Sequence, residues 1–162
     1  MRAAATATIF LSAALSGCGT TTVSPAIAGN PGVKTATGPN GYPVLASVTF
    51  NRSGAATPDA RSACIRSQVN DIEGAPVITG SAVQASAKTS FYFAAVGMSK
   101  AFRYSLAVQG DSNSTYTFDR MRYINEGSQG GPLMASSYWS PEYVVQELES
   151  IADSIDSCAR GR

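Results

Sequence analysis

From Phe102 to Gln109 the chain alternates without a break. Phe102, Tyr104, Leu106 and Val108 are apolar, and Arg103, Ser105, Ala107 and Gln109 between them are polar or small. Successive side chains of a strand point to opposite faces of its sheet, so this segment requires one face against a core and the other open to water. A parallel sheet covered on both faces demands continuous apolar runs instead. An antiparallel sheet, polar on one side, is the architecture this strand fits.

Other segments obey the same period. Val44, Ala46, Val48 and Phe50 alternate with Leu45, Ser47, Thr49 and Asn51, and a weaker alternation runs from Val83 to Ala95. Val77, Ile78 and Thr79 form a short strand that Gly80 stops. Tyr116 and Phe118 share one parity and Met121 and Tyr123 the other. One extra residue moves later side chains to the opposite face, so a bulge is predicted near Asp119.

Two helices are marked by one start signal, a capping hydroxyl, then proline, then an acid, in Thr57-Pro58-Asp59 and Ser140-Pro141-Glu142. The first is predicted to run to about Asp71 with Ile65, Val69 and Ile72 on one stripe. The second carries Val144, Leu148, Ile151 and Ile155 in a stripe, with Glu147, Glu149, Asp153 and Asp156 largely away from it. The predicted order is β-α-β-β-β-β-α: a single two-layer α+β domain over residues 42–162, with an antiparallel sheet of four to five strands and both helices on one face. By element order alone this loosely resembles helix-grip and TATA-binding-protein-like folds.

The N-terminus joins Arg2 to a mostly apolar or small run from Ala3 to Leu15. That is the layout of a signal peptide, and the run is short for a permanent membrane helix. The quartet Leu15-Ser16-Gly17-Cys18 resembles the lipobox of bacterial lipoproteins. The resemblance implies removal of residues 1–17, a thioether-linked diacylglycerol on Cys18, and a membrane partner engaged through two or three acyl chains, enough for stable attachment. Gly19 stands where an aspartate would resemble an inner-membrane retention signal, which favours the outer membrane, with the domain in the periplasm or at the cell surface. Residues 19–41, rich in Thr, Gly, Pro and Ala with Lys34 as their one charge, read as a flexible tether within a lipidated segment 18–41.

Without Arg2 the chain holds 11 Lys and Arg against 11 Asp and Glu, so no basic field exists for nucleic acid. It contains no histidine, which excludes Ser-His-Asp and Cys-His catalysis and histidine zinc sites within the chain. Residues 127–133 resemble the nucleophile motif of trypsin-like proteases, except that Gln129 stands in the nucleophile's place. The segment reads as a glycine-rich part of a loop over 125–138. No catalytic residue, metal ligand set or cofactor is assigned.

The remaining cysteines, Cys64 in the first helix and Cys158 in the last turn of the second, form an even pair in an oxidising compartment, read as a structural disulfide. A redox pair fits less well, since such sulfurs usually sit close in sequence, and two buried thiols are the other alternative. Asp119 and Glu126 are the best carboxylate pair, with nothing to favour catalysis over solvation. Arg103, Arg120 and Arg122 on neighbouring strands are the candidate contact for an anion or a partner, or else charges guarding an exposed sheet.

The first functional reading is a non-catalytic envelope lipoprotein that binds another envelope protein. One alternative is a carrier or sensor of a small apolar ligand between the C-terminal helix and the sheet, lined by Phe91, Phe93, Tyr104 and Tyr116. Others are an inhibitor of a cell-wall hydrolase that presents the 125–138 loop, or an enzyme working with carboxylates alone.

Overall fold

A computed structural model describes residues 21–93, 96–125 and 128–161. The chain is α+β, with one antiparallel sheet and three helices. A short helix α1 (Pro25–Ala28) leads to β1 (Val33–Thr37) and β2 (Pro43–Ser53), followed by α2 (Pro58–Gln68). Then come β3 (Val77–Thr79), β4 (Ala82–Phe93), β5 (Met98–Gln109), β6 (Asn113–Asn125), β7 (Ser128–Pro132) and α3 (Pro141–Arg160). The sheet order is β1-β2-β6-β5-β4-β3, with β7 paired to β6.

The sheet has seven strands, more than the four to five expected. One addition, β1, lies within residues 18–41, so the expectation of a flexible tether through residue 41 is corrected. Ile27 is buried in the core, Ser24 donates its N–H to the Ala135 carbonyl at 2.8 Å, and Val33–Thr37 pair with β2 along the edge. An edge strand pairs through its backbone on one side only, so Lys34, Thr35, Ala36 and Thr37 stay exposed and leave no apolar period to read. The other addition, β7, comes from the segment read as loop 125–138. Its glycine-rich sequence pairs with β6 in antiparallel register.

The face expected against the core is buried. Phe102, Tyr104, Leu106 and Val108 of β5 lie beside Val83, Ala87 and Phe91 of β4 and Tyr116 and Phe118 of β6. α2 and α3 pack against one another and against this face. Val144, Leu148 and Ile155 of α3 are fully enclosed, and burying each such side chain is worth about 1.5–3 kcal/mol. Ile151 lies half-buried at the edge of the stripe. At the start of α3, Ser140 has φ 52° and makes no side-chain capping bond, whereas Thr57 Oγ1 accepts from the Ala60 N–H at 3.2 Å to cap α2.

α2 ends at Gln68, three residues before the predicted Asp71. Tertiary pairing takes over there: Asp71 turns with φ 49°, its carbonyl accepts from Lys88 N–H, and Glu73 N–H donates to the Ser86 carbonyl. The bulge in β6 lies where parity placed it. Arg103 pairs with Arg122 and Ser105 with Asp119, so β6 carries one residue more than β5, and Arg120 takes φ 51°. β6 also changes partner there, from β2 up to Asp119 to β7 from Arg122 onward.

Candidate functional site

The face of the sheet away from the helices is the first candidate. On it, Arg103 grips Glu73 with Nε 2.7 Å from Oε2 and Nη2 2.8 Å from Oε1, and Lys88 Nζ stands 3.1 Å from the same Oε1. Glu73 reaches these partners because the 71–73 segment lies along the edge of β4, as the Ile72–Ala87 bridge shows. Partial burial works against ionising Glu73, but the hydrogen bonds and charges of Arg103 and Lys88 prevail and hold its carboxyl below the usual range. A shallow cleft of about 270 Å³ beside this cluster is lined by Glu73, Gln84, Ser86, Ser105, Asp119 and Arg120.

The three candidate arginines therefore do not form one fork. Arg103 is committed to Glu73, Arg122 is its exposed register neighbour, and Arg120 projects from the bulge with 83% of its side chain exposed, 4.0 Å from Asp119. A free three-arginine anion cradle is absent, and a mixed polar surface stands in its place. The acidic Glu73 that changes its chemistry carried no signal in its own sequence neighbourhood. Of the expected carboxylate pair, Asp119 lies on this face and Glu126 lies outside the described residues.

The four residues expected to line an apolar ligand site are core fillers. Phe91, Phe93, Tyr104 and Tyr116 are each at most 3% exposed, and the Tyr116 hydroxyl donates to Asp156 Oδ1 at 3.1 Å. Burial pushes the Tyr116 phenol up to about 12, with Asp156 adding to the rise. An apolar cleft of about 560 Å³ opens elsewhere, at the end of the sheet, among Pro39, Tyr42, Tyr123, Met134, Tyr138 and Trp139. Sequence reasoning did not single it out, because its lining comes from four separate segments.

Arg61 was also missed. It is fully buried in α2, with Nη2 3.0 Å from Ser114 Oγ. Its position three before Cys64 and four before Ile65 places it on the buried stripe, and that spacing was the available signal.

Cys64 and Cys158 are bonded, with Cα atoms 5.7 Å apart, and the bridge ties α2 to the end of α3. Cys18 lies outside the described residues. Among the described residues, no group of three or more His, Cys, Asp or Glu is placed to hold a metal, and no helix is long and apolar enough to cross a membrane.

No family model matches the chain, and no curated protein matches it in sequence. Two crystal structures are similar in shape. A TBP-like protein from Parabacteroides distasonis aligns with a TM-score of 0.45 and 8% identity, over 70% of this chain and 92% of that one. A DUF4468 family protein from Bacteroides ovatus aligns with a TM-score of 0.41 and 7% identity, over 70% of this chain and 81% of that one.

Proposed function

We propose that the chain is a bacterial envelope lipoprotein, anchored through lipid on Cys18 and sorted to the outer membrane. Its domain is a non-catalytic module that binds another envelope protein through the bare face of its sheet. The observation that carries the binding surface is the asymmetry of that sheet. α2 and α3 occupy one face, while the other presents Ser86, Lys88, Arg103, Ser105 and Asp119, all partly exposed around the Glu73 cluster. Charged pairs held in fixed geometry on an accessible face favour recognition of a polar partner and exclude wrong ones by leaving charges unmatched.

Two measurements on cells test the two halves. Cys18→Ala is expected to abolish fatty-acid labelling and to release the domain from the membrane fraction; a labelled, membrane-bound variant refutes the anchor. A photo-crosslinking residue at Ser105 is expected to give a discrete adduct with one envelope protein, and the same residue at Ser150, exposed on α3, is not. Adducts of equal yield from both positions, or from neither, refute the sheet face as the binding surface.

A further inference from the structure

Six of the eight exposed large apolar side chains among the described residues gather at one end of the molecule, while Val77 and Ile78 of β3 lie at the other. Tyr42, Tyr92, Val96, Met98, Tyr138 and Tyr143 all lie where β2 and β5 begin, β4 ends and α3 starts. Met98 is 56% exposed, Tyr138 53% and Tyr42 37%. Behind them Trp139 stacks on Phe93 with ring centroids 5.3 Å apart. Lys100 holds its ammonium 4.8 Å from the Phe93 centroid and 5.2 Å from that of Trp139. The apolar cleft of about 560 Å³ opens between these side chains. Tyrosine and tryptophan, with an apolar ring and a polar edge, are the residues enriched at the headgroup level of bilayers.

The chain enters the domain at this same end. Ser24 bonds to Ala135, the residue after Met134 in the cleft wall. Cys18 is six residues before Ser24, so at about 3.3–3.6 Å per residue it lies within roughly 20 Å of this end even when the connection is fully extended. The far end is out of that reach. α3 has 20 residues, about 30 Å of helix at 1.5 Å per residue, and runs from the aromatic end to the disulfide.

We propose that this aromatic end rests in the headgroup layer of the bilayer that holds the lipid on Cys18. The proposal rests on the lipoprotein reading and adds the orientation of the domain. The acyl chains supply attachment, and the Tyr42, Met98, Tyr138 and Trp139 surface fixes which end of the sheet meets the membrane. A second copy of the chain is the rival occupant. The bilayer is favoured because a connection of six residues already holds the two surfaces together at high effective concentration, without any encounter between proteins.

Trp139 is the sole tryptophan of the chain, so its fluorescence reports on this surface alone. The acylated protein, residues 18–162, is placed in vesicles of phosphatidylethanolamine and phosphatidylglycerol that contain phosphatidylcholine brominated near the headgroup. Trp139 emission is expected to be quenched, and Met98→Asp or Tyr42→Asp is expected to reduce the quenching at least twofold. Val77→Asp, on exposed β3 at the other end of β4, is expected to leave it unchanged. Fatty-acid labelling of the same sample separates the two ideas. A labelled protein whose Trp139 is unquenched overturns the membrane-facing surface and leaves the anchor standing; an unlabelled chain removes the anchor, and the proposed orientation falls with it. Unquenched Trp139 that becomes shielded from acrylamide as protein density rises assigns this end to a second copy and also overturns the proposal.

Discussion

Opening the Cys64–Cys158 bridge has a size that follows from the chain. The two cysteines are 94 residues apart, so the bond closes a loop of about 95 residues. Loop-closure entropy then removes about 4.7 kcal/mol of freedom from the unfolded chain at 25 °C. With roughly 140 ordered residues and about 2.1 cal/mol/K per residue, the entropy of unfolding is near 0.3 kcal/mol/K, so the melting temperature is expected to fall by about 15 °C. Two perturbations separate the cross-link from packing. Reduction keeps both sulfurs, whereas Cys64→Ala with Cys158→Ala also empties volume at Cys64, which is fully enclosed, and is expected to lower the melting temperature further. Calorimetry with and without reductant, with thiols counted on the unfolded protein, gives both numbers. A fall under about 3 °C in both forms refutes the loop-closure argument, because the double variant has no bond left to protect it.

Two more outcomes concern pH. Burial raises the phenols of Tyr104, Tyr116 and Tyr123, Tyr116 and Tyr123 to about 12, and charges of Glu147 and Asp156 add to the rise at Tyr104 and Tyr116. A folded pKa above the unfolded value leaves stability whole below about pH 10 and removes it as pH climbs through about 12. Phenolate absorbance of these tyrosines should therefore rise together with unfolding in alkali, and phenolate forming near pH 10 in folded protein whose Tyr42, Tyr92, Tyr138 and Tyr143 are replaced by Phe contradicts this. Glu73 titrates in the opposite sense, since its folded pKa is depressed: its contribution is present above about pH 4.3 and disappears as pH falls through the folded value. Glu73→Gln is expected to flatten the acid limb of the stability curve and, with its side chain 28% exposed, to cost no more than about 1 kcal/mol at neutral pH, as read by urea unfolding.

What could be read from the sequence was whatever burial writes as a period. β5 shows both faces of the sheet in eight residues, and the parity change between Phe118 and Met121 located the bulge that the positive φ of Arg120 now marks. The start signals at Thr57 and Ser140 located both long helices, although the Ser140 side chain makes no cap. Elements held by main-chain bonds were not legible. β1 leaves four of its five side chains exposed and β7 is glycine-rich, so they read as tether and loop. The stripe of Ile65, Val69 and Ile72 extends the predicted α2 to about Asp71, and backbone pairing of Asp71 and Glu73 with β4 outweighs that local preference. The polar cluster was half legible. Arg103 stood out by its place in a strand, but Glu73 meets it only through tertiary contact across 30 residues. The aromatic end was illegible for the same reason, since Tyr42, Tyr123 and Trp139 share no local pattern.

The two ends of the molecule are held together differently. At the far end Cys64 binds Cys158, buried Arg61 reaches Ser114, and Tyr116 and Arg160 both engage Asp156, Arg160 Nη2 at 2.9 Å from Oδ2. These contacts lock α2, α3 and the start of β6 together. At the aromatic end the side chains pack ring on ring around an open cleft, and Thr89 Oγ1 donates to Glu147 Oε1 at 2.6 Å to tie β4 to α3. A sheet that meets a bilayer by the ends of its strands must stand with those strands steeply inclined to the membrane. Its bare face then looks along the membrane plane rather than toward or away from it. In the orientation proposed above, the Glu73, Lys88 and Arg103 cluster sits on that sideways face, and a partner bound there does not compete with the membrane for one surface. A partner anchored in the same membrane would meet the cluster by lateral diffusion, and weakening the aromatic end by Tyr42→Asp should then lower the yield of the Ser105 crosslink without changing its identity.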